Sequence, residues 1–277
     1  MVDFFGDSYY IESIMAAGKR WTREELLIAY NLYCKIPFGK LHHSNPDIIQ
    51  IAKGLGRTPS SLAMKLTNFA SLDPELQVRG IKGLPGASKT DKELFQEFHT
   101  HWEDYVLESE SLINTFSPTV DKLVPKKTPE DKEYFPELKY LETTEKVTIS
   151  KIRIGQSFFR KMILANYDYK CAITGNPIPQ LLRASHILPW YQFPEQRLNP
   201  QNGICLSALH DAAFDRRLIS FDDHLRLILS PQLKKEISSE SLSLNFLQYE
   251  GKPLTPPERF NPDPQFLKWH RERVEKY

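Results

Sequence analysis

Several features that would assign this chain to a special class are scarce in its 277 residues. The three cysteines, Cys34, Cys171 and Cys205, are too few and too scattered for a disulfide framework. No apolar run approaches the roughly 20 residues of a transmembrane helix, and the first residues lack the basic stretch and apolar core of a signal peptide. These absences argue against a membrane partner, and the sequence predicts a soluble cytoplasmic protein.

An excess of charge of one sign is also lacking, because 36 Lys and Arg face 35 Asp and Glu, for a net charge of +1. The near balance conceals an uneven distribution. Residues 101–150 carry 6 basic and 11 acidic side chains (net −5), whereas residues 151–277 carry 18 and 13 (net +5). From Lys19 to Lys89 the counts are 11 and 5, a net of +6. Two basic regions flank an acidic one, so a nucleic-acid partner stays open.

The acidic region also has the composition of a connector. Residues 117–131 are charged and interrupted by prolines, with little apolar periodicity. The sequence therefore predicts a linker over residues 116–150. It would join a helical domain over residues 1–115 to a second domain over residues 151–277.

The first domain carries three helix-start signals. Thr22 and Glu25 have the spacing of a capping box. Asn45-Pro46 and Thr58-Pro59 each place a capping residue before a proline that suits the first helical position. The second and third helices are joined through a glycine-containing turn, and the pair resembles a helix-turn-helix.

The third helix has one apolar and one polar face. Leu62, Leu66 and Phe69 would face the core, and the polar side chains would face outward. Side chains of those polar types hydrogen-bond phosphates and base edges. We therefore predict DNA contacts by Ser61, Lys65 and Asn68, with a plain helical bundle as the alternative. A fourth helix, over residues 91–114, has an apolar stripe typical of core packing or of a dimer seam.

The second domain orders its elements as helix, strand, loop, strand, helix and hairpin. The helix covers residues 156–166, and the strands cover residues 181–190 and 204–206. A short helix over residues 208–215 follows, and a hairpin over residues 218–229 ends the series. This order places His186, Asn202 and His210 in three consecutive elements that could converge on one site.

These residues lie in a longer frame that closely resembles the HNH nuclease family over roughly residues 155–230. The matching segments are 184–190 (ASHILPW), 199–206 (NPQNGICL), His210 and 214–220 (FDRRLIS). A weaker resemblance, from Trp21 to about Phe98, is to the leader of some restriction endonucleases. The resemblance implies an α+β fold, with a helical N-terminal domain and a C-terminal ββα-metal nuclease domain.

The family's roles carry over to matching positions. His186 would be the general base that takes a proton from water, and Asn202 would orient its imidazole. His210 and Asp215 would bind one divalent cation per site, Mg²⁺ or alternatively Mn²⁺. Arg183 and Arg216 could bind DNA phosphates.

The sequence departs from the family pattern at two points. Many members have an acidic metal ligand before the catalytic histidine, where this chain has Ser185, so a second protein ligand is unassigned. Asp215 and Asp211 are the candidates, with Asp215 favoured because it lies within the matching segment, and Asn202 is a further alternative. Thr174 follows Cys171 where a zinc-binding Cys-x-x-Cys pair would need its second cysteine, so we expect no structural zinc.

The leading hypothesis is a metal-dependent endonuclease that hydrolyses phosphodiester bonds of double-stranded DNA, with restriction or host defence as its setting. A non-enzymatic DNA-binding regulator with a degenerate HNH-like module is the alternative, and an RNA-cleaving toxin is a third. Cutting both strands would call for two sites, so a homodimer is a further hypothesis.

Overall fold

The computed structural model describes residues 19–116, 143–236 and 239–274. The chain divides into two compact units, Met1–Ser157 and Phe158–Tyr277. Its architecture is α+β, as predicted: helices dominate, and two small antiparallel sheets lie in the second unit. Residues 117–142, most of the predicted linker, lie outside the described residues. No helix within the described ranges is both long enough and apolar enough to cross a bilayer.

The first unit is helical. Its helices are α1 (Arg23–Lys35), α2 (Pro46–Gly54), α3 (Pro59–Ala70), α4 (Pro74–Val78), α5 (Lys89–Thr100) and α6 (Trp102–Phe116). The predicted start signals are confirmed: Thr22 caps α1 through a capping box with Glu25, and Asn45 and Thr58 cap α2 and α3. Each cap satisfies backbone N–H groups that the first helical turn leaves without partners.

Aromatic rings on four helices form the core of the first unit. Tyr30 of α1 is fully buried, and its ring lies 5.0 Å from Phe69 of α3 and 4.7 Å from Phe98 of α5. Phe98 in turn packs edge-on against Trp102, with ring centroids 5.2 Å apart. The predicted inward face of α3 is confirmed, since Leu62, Leu66 and Phe69 are all buried.

The helix predicted over residues 91–114 is two helices, α5 and α6. The chain leaves helical geometry at His101 (φ −135°, ψ 59°), and both helices then pack against α1. Their apolar stripe, Leu94, Phe98 and Trp102, is therefore buried within the unit. These three residues of the stripe form core.

The outward orientation predicted for Lys65 is wrong. Lys65 is buried, and its Nζ lies 2.9 and 2.8 Å from the two carboxylate oxygens of Asp91. The ammonium also lies 5.3 Å from the ring centroid of Trp21. Helical spacing alone placed Lys65 outside, but a buried carboxylate on α5 compensates its charge inside. Ser61 and Asn68 are partly exposed on α3, as a DNA contact requires.

Lys65→Met is expected to destabilise the first unit by about 3–5 kcal/mol, because Asp91 would stay buried without its cation. Adding Asp91→Asn should restore most of that loss. It removes the charge and keeps an oxygen for the backbone N–H of Ser88, which Asp91 caps at 2.8 Å. Urea unfolding measures both effects. Lys92→Met, at an exposed site on α5, is the control and should change stability by less than about 0.5 kcal/mol. A double variant no more stable than the single one would contradict the charge argument.

The second unit holds the two sheets. Helix α7 (Thr143–Asn166) begins within the stretch predicted as linker and enters this unit at Phe158. The remaining elements are β1 (Leu182–His186), β2 (Gly203–Ser207), α8 (Ala208–Asp215), β3 (Ile219–Phe221), β4 (Leu227–Leu229), α9 (Pro231–Lys235), α10 (Glu240–Asn245) and α11 (Pro264–Val274). The predicted order of strand, loop, strand, helix and hairpin is confirmed. Cys171 and Cys205 are both fully buried here.

Helix α11 fixes the chain that follows α8. Its His270 is fully buried, with its ring stacked 3.8 Å from that of Phe214. Nε2 donates to the Phe214 carbonyl at 3.1 Å, so Nδ1 accepts from the Ser220 hydroxyl at 2.9 Å. Burial lowers the pKa of His270 to about 3. The neutral imidazole thus ties α11 to both α8 and β3.

Candidate active site

His186 stands at the end of β1, where two strands and a loop meet. β1 pairs antiparallel with β2, and His186 lies opposite Gly203 in the register. Next to this pair, the Ile187 N–H donates to the Asn202 carbonyl at 3.0 Å. The loop over residues 187–202 therefore starts directly after His186 and ends directly before Gly203, the residue paired with His186.

The imidazole of His186 is held from two directions. Its ring stacks on Phe159 of α7, with centroids 3.9 Å apart and planes 11° from parallel. Nε2 donates to the backbone carbonyl of Arg197 at 3.0 Å. Because Nε2 carries the proton, Nδ1 has the free lone pair, and in the described part of the chain no hydrogen bond to Nδ1 is formed. This is the tautomer that a general base needs.

Burial lowers the pKa of His186 to about 4, while the hydrogen bond to Arg197 acts in the opposite direction. The imidazole is therefore neutral at physiological pH and ready to accept a proton. A DNA phosphate close to the ring would favour its protonated form and raise its basicity once substrate is bound.

Asn202 holds the loop rather than the imidazole. Its side chain is buried, and Oδ1 accepts from the Leu188 N–H at 2.7 Å. Nδ2 donates to the carbonyls of Leu188 at 3.3 Å and Gln196 at 3.0 Å. These bonds join the two ends of the loop, and Gln196 directly precedes the residue whose carbonyl accepts from His186. Asn202 thus fixes the loop whose Arg197 carbonyl accepts from His186.

Three residues that sequence reasoning missed complete this arrangement. Arg197 places its own carbonyl: its Nε donates to the Trp190 carbonyl at 2.8 Å, and its guanidinium lies 5.2 Å from the Trp190 ring centroid. Phe159 supplies the stacking surface. Gly203 makes room for it, because a Cβ there would lie 2.7 Å from the Phe159 ring and 2.4 Å from Ile163. In the sequence, Phe159 was only an inward helix position and Gly203 a turn signal.

Ser185, the residue before His186, contacts the helix that follows β2. Its buried hydroxyl donates to Oδ1 of Asp211 on α8 at 2.5 Å. The missing acid at position 185 is therefore matched by a carboxylate of α8 that Ser185 contacts directly.

His210 uses both ring nitrogens within the protein. Nε2 donates to the Asn245 carbonyl at 2.8 Å, and Nδ1 accepts from the Ser207 hydroxyl at 2.7 Å. The residue is buried, and burial lowers its pKa. The predicted role of His210 as a metal ligand does not fit this arrangement, because a metal would have to replace one of the two hydrogen bonds.

Asp215 lies one helical turn after Asp211, at the exposed end of α8. Although Asp215 as a residue is exposed, partial burial of its carboxyl group, and then the charge of Asp211, raise its pKa to about 6. The neighbouring Arg216 is exposed, with its guanidinium bonded to the Ala212 carbonyl at 3.1 Å. Arg183, half-buried on β1, donates to the Leu182 carbonyl at 3.1 Å.

The carboxylates of α8 are the hard donors of this site. Within residues 19–116, 143–236 and 239–274, no group of three or more His, Cys, Asp or Glu side chains could hold a metal ion. Mg²⁺, however, is commonly held by one or two carboxylates, with water and phosphate oxygens completing its shell. Asp211 and Asp215 lie one helical turn apart, and the charge of Asp211 raises the pKa of Asp215. A divalent cation would neutralise the repulsion between these two carboxylates. Asp211 and Asp215 offer the oxygen donors that such an ion takes, whereas both ring nitrogens of His210 are hydrogen-bonded within the protein.

The buried neutral histidines predict that the second unit loses stability in acid. The folded-state pKa values of His186 (about 4) and His270 (about 3) lie below the ordinary 6.5, so below pH 6.5 the unfolded chain binds more protons. Between pH 7 and pH 5 each histidine should cost about 2 kcal/mol. Urea unfolding at both pH values tests this, with His270→Gln expected to show a smaller stability difference than wild type. An unchanged difference would refute the assignment.

Comparison with known proteins agrees with this geometry. Residues 171–222 match the family model described as HNH endonuclease, a segment that contains His186, Asn202, His210 and Asp215. No curated protein matches the chain. The matched segment includes β1, β2 and α8, the elements that position the candidate base and the two carboxylates. Over residues 171–222, the chain is similar to the HNH endonuclease family.

Proposed function

We propose that this protein is a metal-dependent DNA endonuclease. The observation that carries the proposal is the state of His186, whose Nε2–H is bound to the Arg197 carbonyl and whose Nδ1 keeps its lone pair. Phosphodiester hydrolysis requires a group that removes a proton from the attacking water near neutral pH. A neutral imidazole fixed in one tautomer on a clamped loop meets that requirement.

In this mechanism each residue has a limited task. Nδ1 of His186 accepts a proton from the water that attacks phosphorus, while Phe159 and the Arg197 carbonyl keep the ring in place. Asn202 keeps the carbonyl in place by joining the ends of its loop. A divalent cation, when bound, supplies positive charge for the phosphate and the leaving oxygen. Asp211 and Asp215 are the residues that would hold it.

The remaining predicted DNA contacts belong to the proposal. Ser61 and Asn68, on the outer side of α3, would contact the duplex through the first unit, in the manner of a helix-turn-helix. Arg183 and Arg216 would bind phosphates in the second unit. Lys65 is removed from this set because its ammonium is paired inside the unit.

The test is cleavage of supercoiled plasmid by the full chain. We expect nicking with Mg²⁺ or Mn²⁺ and none with excess chelator. Conversion to linear product would indicate cutting of both strands, as expected of a pair of sites. Matched RNA in the same assay separates a nuclease that prefers DNA from one that prefers RNA. Restriction or host defence is the proposed setting, and it predicts that plasmids with and without base modification are cut at different rates.

A non-enzymatic DNA-binding protein is the second candidate. Two observations favour it: Ser185 in place of an acid, and the engagement of both nitrogens of His210 within the protein. It predicts that the chain retards the plasmid on a gel without nicking it, whatever the metal. That result would replace the endonuclease proposal.

The metal assignment has its own test, in which binding is measured apart from activity. Asp211→Asn combined with Asp215→Asn should weaken Mn²⁺ binding in calorimetric titrations by at least about tenfold, because it removes both anionic ligands. His210→Gln is the matched control, and we expect it to lower thermal stability while leaving Mn²⁺ affinity within about twofold. The reverse pattern would return the ligand role to His210.

A further inference from the structure

A basic, glycine-rich loop connects α4 to α5 in the first unit. We call residues 79–89 the glycine loop. Gly80, Gly83 and Gly86 recur at every third position, with φ of 76°, 58° and 143°, all in the region that favours glycine. Since the backbone takes a positive φ at each of these three glycines, the loop follows a path that other residues would adopt only with strain.

The glycine loop is fastened to α3. A Cβ on Gly83 would lie 2.8 Å from the Cα of Ser71, so the loop backbone passes directly over the C-terminal end of α3. Just before the loop, Gln77 Nε2 donates to the Ser71 carbonyl at 2.7 Å. At the far end, the Ser88 N–H donates to Asp91, the carboxylate that also binds Lys65 of α3. The loop and α3 therefore form one surface.

The surface is positively charged. The glycine loop contains Arg79, Lys82 and Lys89, and no acidic residue. Lys82 forms no ion pair or hydrogen bond within the described residues, and it is exposed. Lys89, 91% exposed, reaches Glu93 only at 3.7 Å.

Two of the five acidic residues between Lys19 and Lys89 are buried. Glu25 is buried and bound to Arg57 at 2.7 Å, and Asp73 is buried beside the Tyr33 hydroxyl at 3.2 Å. The net charge of +6 between Lys19 and Lys89 is therefore presented to solvent mainly by basic side chains. An anionic partner is the charge-complementary one.

The partly exposed face of α3 continues this surface. Ser60 is exposed, Met64 is 58% exposed, and Asn68 is partly exposed where α3 meets the loop. A Cβ on Gly86 would lie 4.0 Å from the side-chain oxygen of Asn68, so the two elements adjoin at that residue. The hydroxyl of Ser60 and the amide of Asn68 thus lie on the same surface as the basic residues of the glycine loop. Side chains of these types hydrogen-bond base edges and DNA phosphates.

We propose that the glycine loop binds the phosphate backbone of duplex DNA and so positions the partly exposed face of α3 on the duplex. The inference rests on the proposed function and adds to it the loop that binds the DNA backbone. Lys82 and Lys89 supply the charge, and the glycines allow the backbone to approach the phosphates closely. Val78 (89% exposed) and Leu84 (44% exposed) flank the cations, so an anionic membrane is the competing partner that the experiment must distinguish.

The experiment compares the wild-type full chain with Lys82→Glu/Lys89→Glu. Binding to a 20-base-pair duplex is followed by fluorescence anisotropy between 50 and 300 mM salt. Each lost phosphate contact should weaken binding roughly eightfold at 0.1 M salt and lower the salt-dependence slope by about 0.9. Lys235→Glu, an exposed lysine on α9 of the second unit, is the matched control and should behave as wild type. Thermal melting confirms that all three proteins are folded.

The outcomes separate this proposal from the nuclease assignment. Weaker binding with a lower slope supports the loop, even if the wild type cuts no DNA with any metal, a result that would refute only the proposed function. Unchanged affinity and slope in the double variant overturn the loop proposal, as does a wild type that binds no duplex. Equal or stronger binding to phosphatidylserine vesicles, lost in the same variant, assigns the loop to membranes and overturns it too.

Discussion

His186→Ala is expected to lower DNA cleavage by about 10²–10⁴-fold, the usual contribution of a general base. The loss should appear in kcat and leave duplex affinity unchanged, because the imidazole acts on water and is partly buried between Phe159 and the Arg197 carbonyl. Single-turnover cleavage of a labelled duplex with Mg²⁺ measures the first quantity, and anisotropy measures the second.

The control for this substitution is His224→Ala. His224 is exposed on the turn between β3 and β4 in the same unit, so removing it leaves the proposed site intact. Its cleavage rate should equal that of the wild type. A His186→Ala protein that folds, binds DNA and still cuts at the wild-type rate would rule out His186 as the base.

Asn202→Ala is expected to damage both stability and activity. It would leave three backbone groups without their side-chain partner: the buried N–H and carbonyl of Leu188 and the partly buried carbonyl of Gln196. At about 1–2 kcal/mol each, the loss should be about 3–6 kcal/mol. Since the same loop carries the Arg197 carbonyl, cleavage should fall even at temperatures where the unit remains folded. Urea unfolding and single-turnover cleavage measure the two effects.

Asn202→Asp separates the donor from the acceptor function of the side chain. An aspartate keeps an acceptor for the Leu188 N–H but turns an oxygen toward two carbonyls, so we expect it to be no better than alanine. Asn199→Asp is the same chemical change in the same loop. Asn199 bonds to the side chain of Gln196 at 2.8 Å and is only partly buried, so the change should cost less than about 1 kcal/mol. Equal effects at the two positions would show that the loop bonds of Asn202 do not matter.

The arrangement of the second unit could be predicted because its information is local. Cap residues, short apolar strands and turn residues follow one another along the sequence in the same order as the elements of the unit. His186 falls at the end of one of these strands. The role of Arg197 could not be predicted, since it acts through a carbonyl whose direction depends on the loop and not on its residue type. The same holds for Asn245, which lies outside the matched segment and whose carbonyl binds His210.

The errors in the first unit have a different origin. Periodicity placed Lys65 on the outer face of α3, although position 65 lies at the edge of the core face, three residues after Leu62 and four before Phe69. A lysine at such an edge can turn inward when a carboxylate pairs with it. In the sequence, Asp91 has the position of an ordinary acidic residue in the first turn of a helix. In the structure it both caps α5 and pairs with Lys65. Only tertiary packing brings these two residues together. The break at His101 was hidden in the same way, because the apolar spacing continues across it.

The adjacency of Asn202 and Gly203 makes the unfolded chain susceptible to deamidation at Asn202. An asparagine followed by glycine is the sequence most prone to deamidation, since the unhindered glycine nitrogen can attack the side-chain amide. In the folded chain that nitrogen donates to the Pro200 carbonyl, and the amide is held by three hydrogen bonds. The native fold therefore delays the reaction, whereas each unfolding event exposes the pair. Ageing preparations should lose activity in step with a mass increase of about one dalton, the change that Asn202→Asp reproduces.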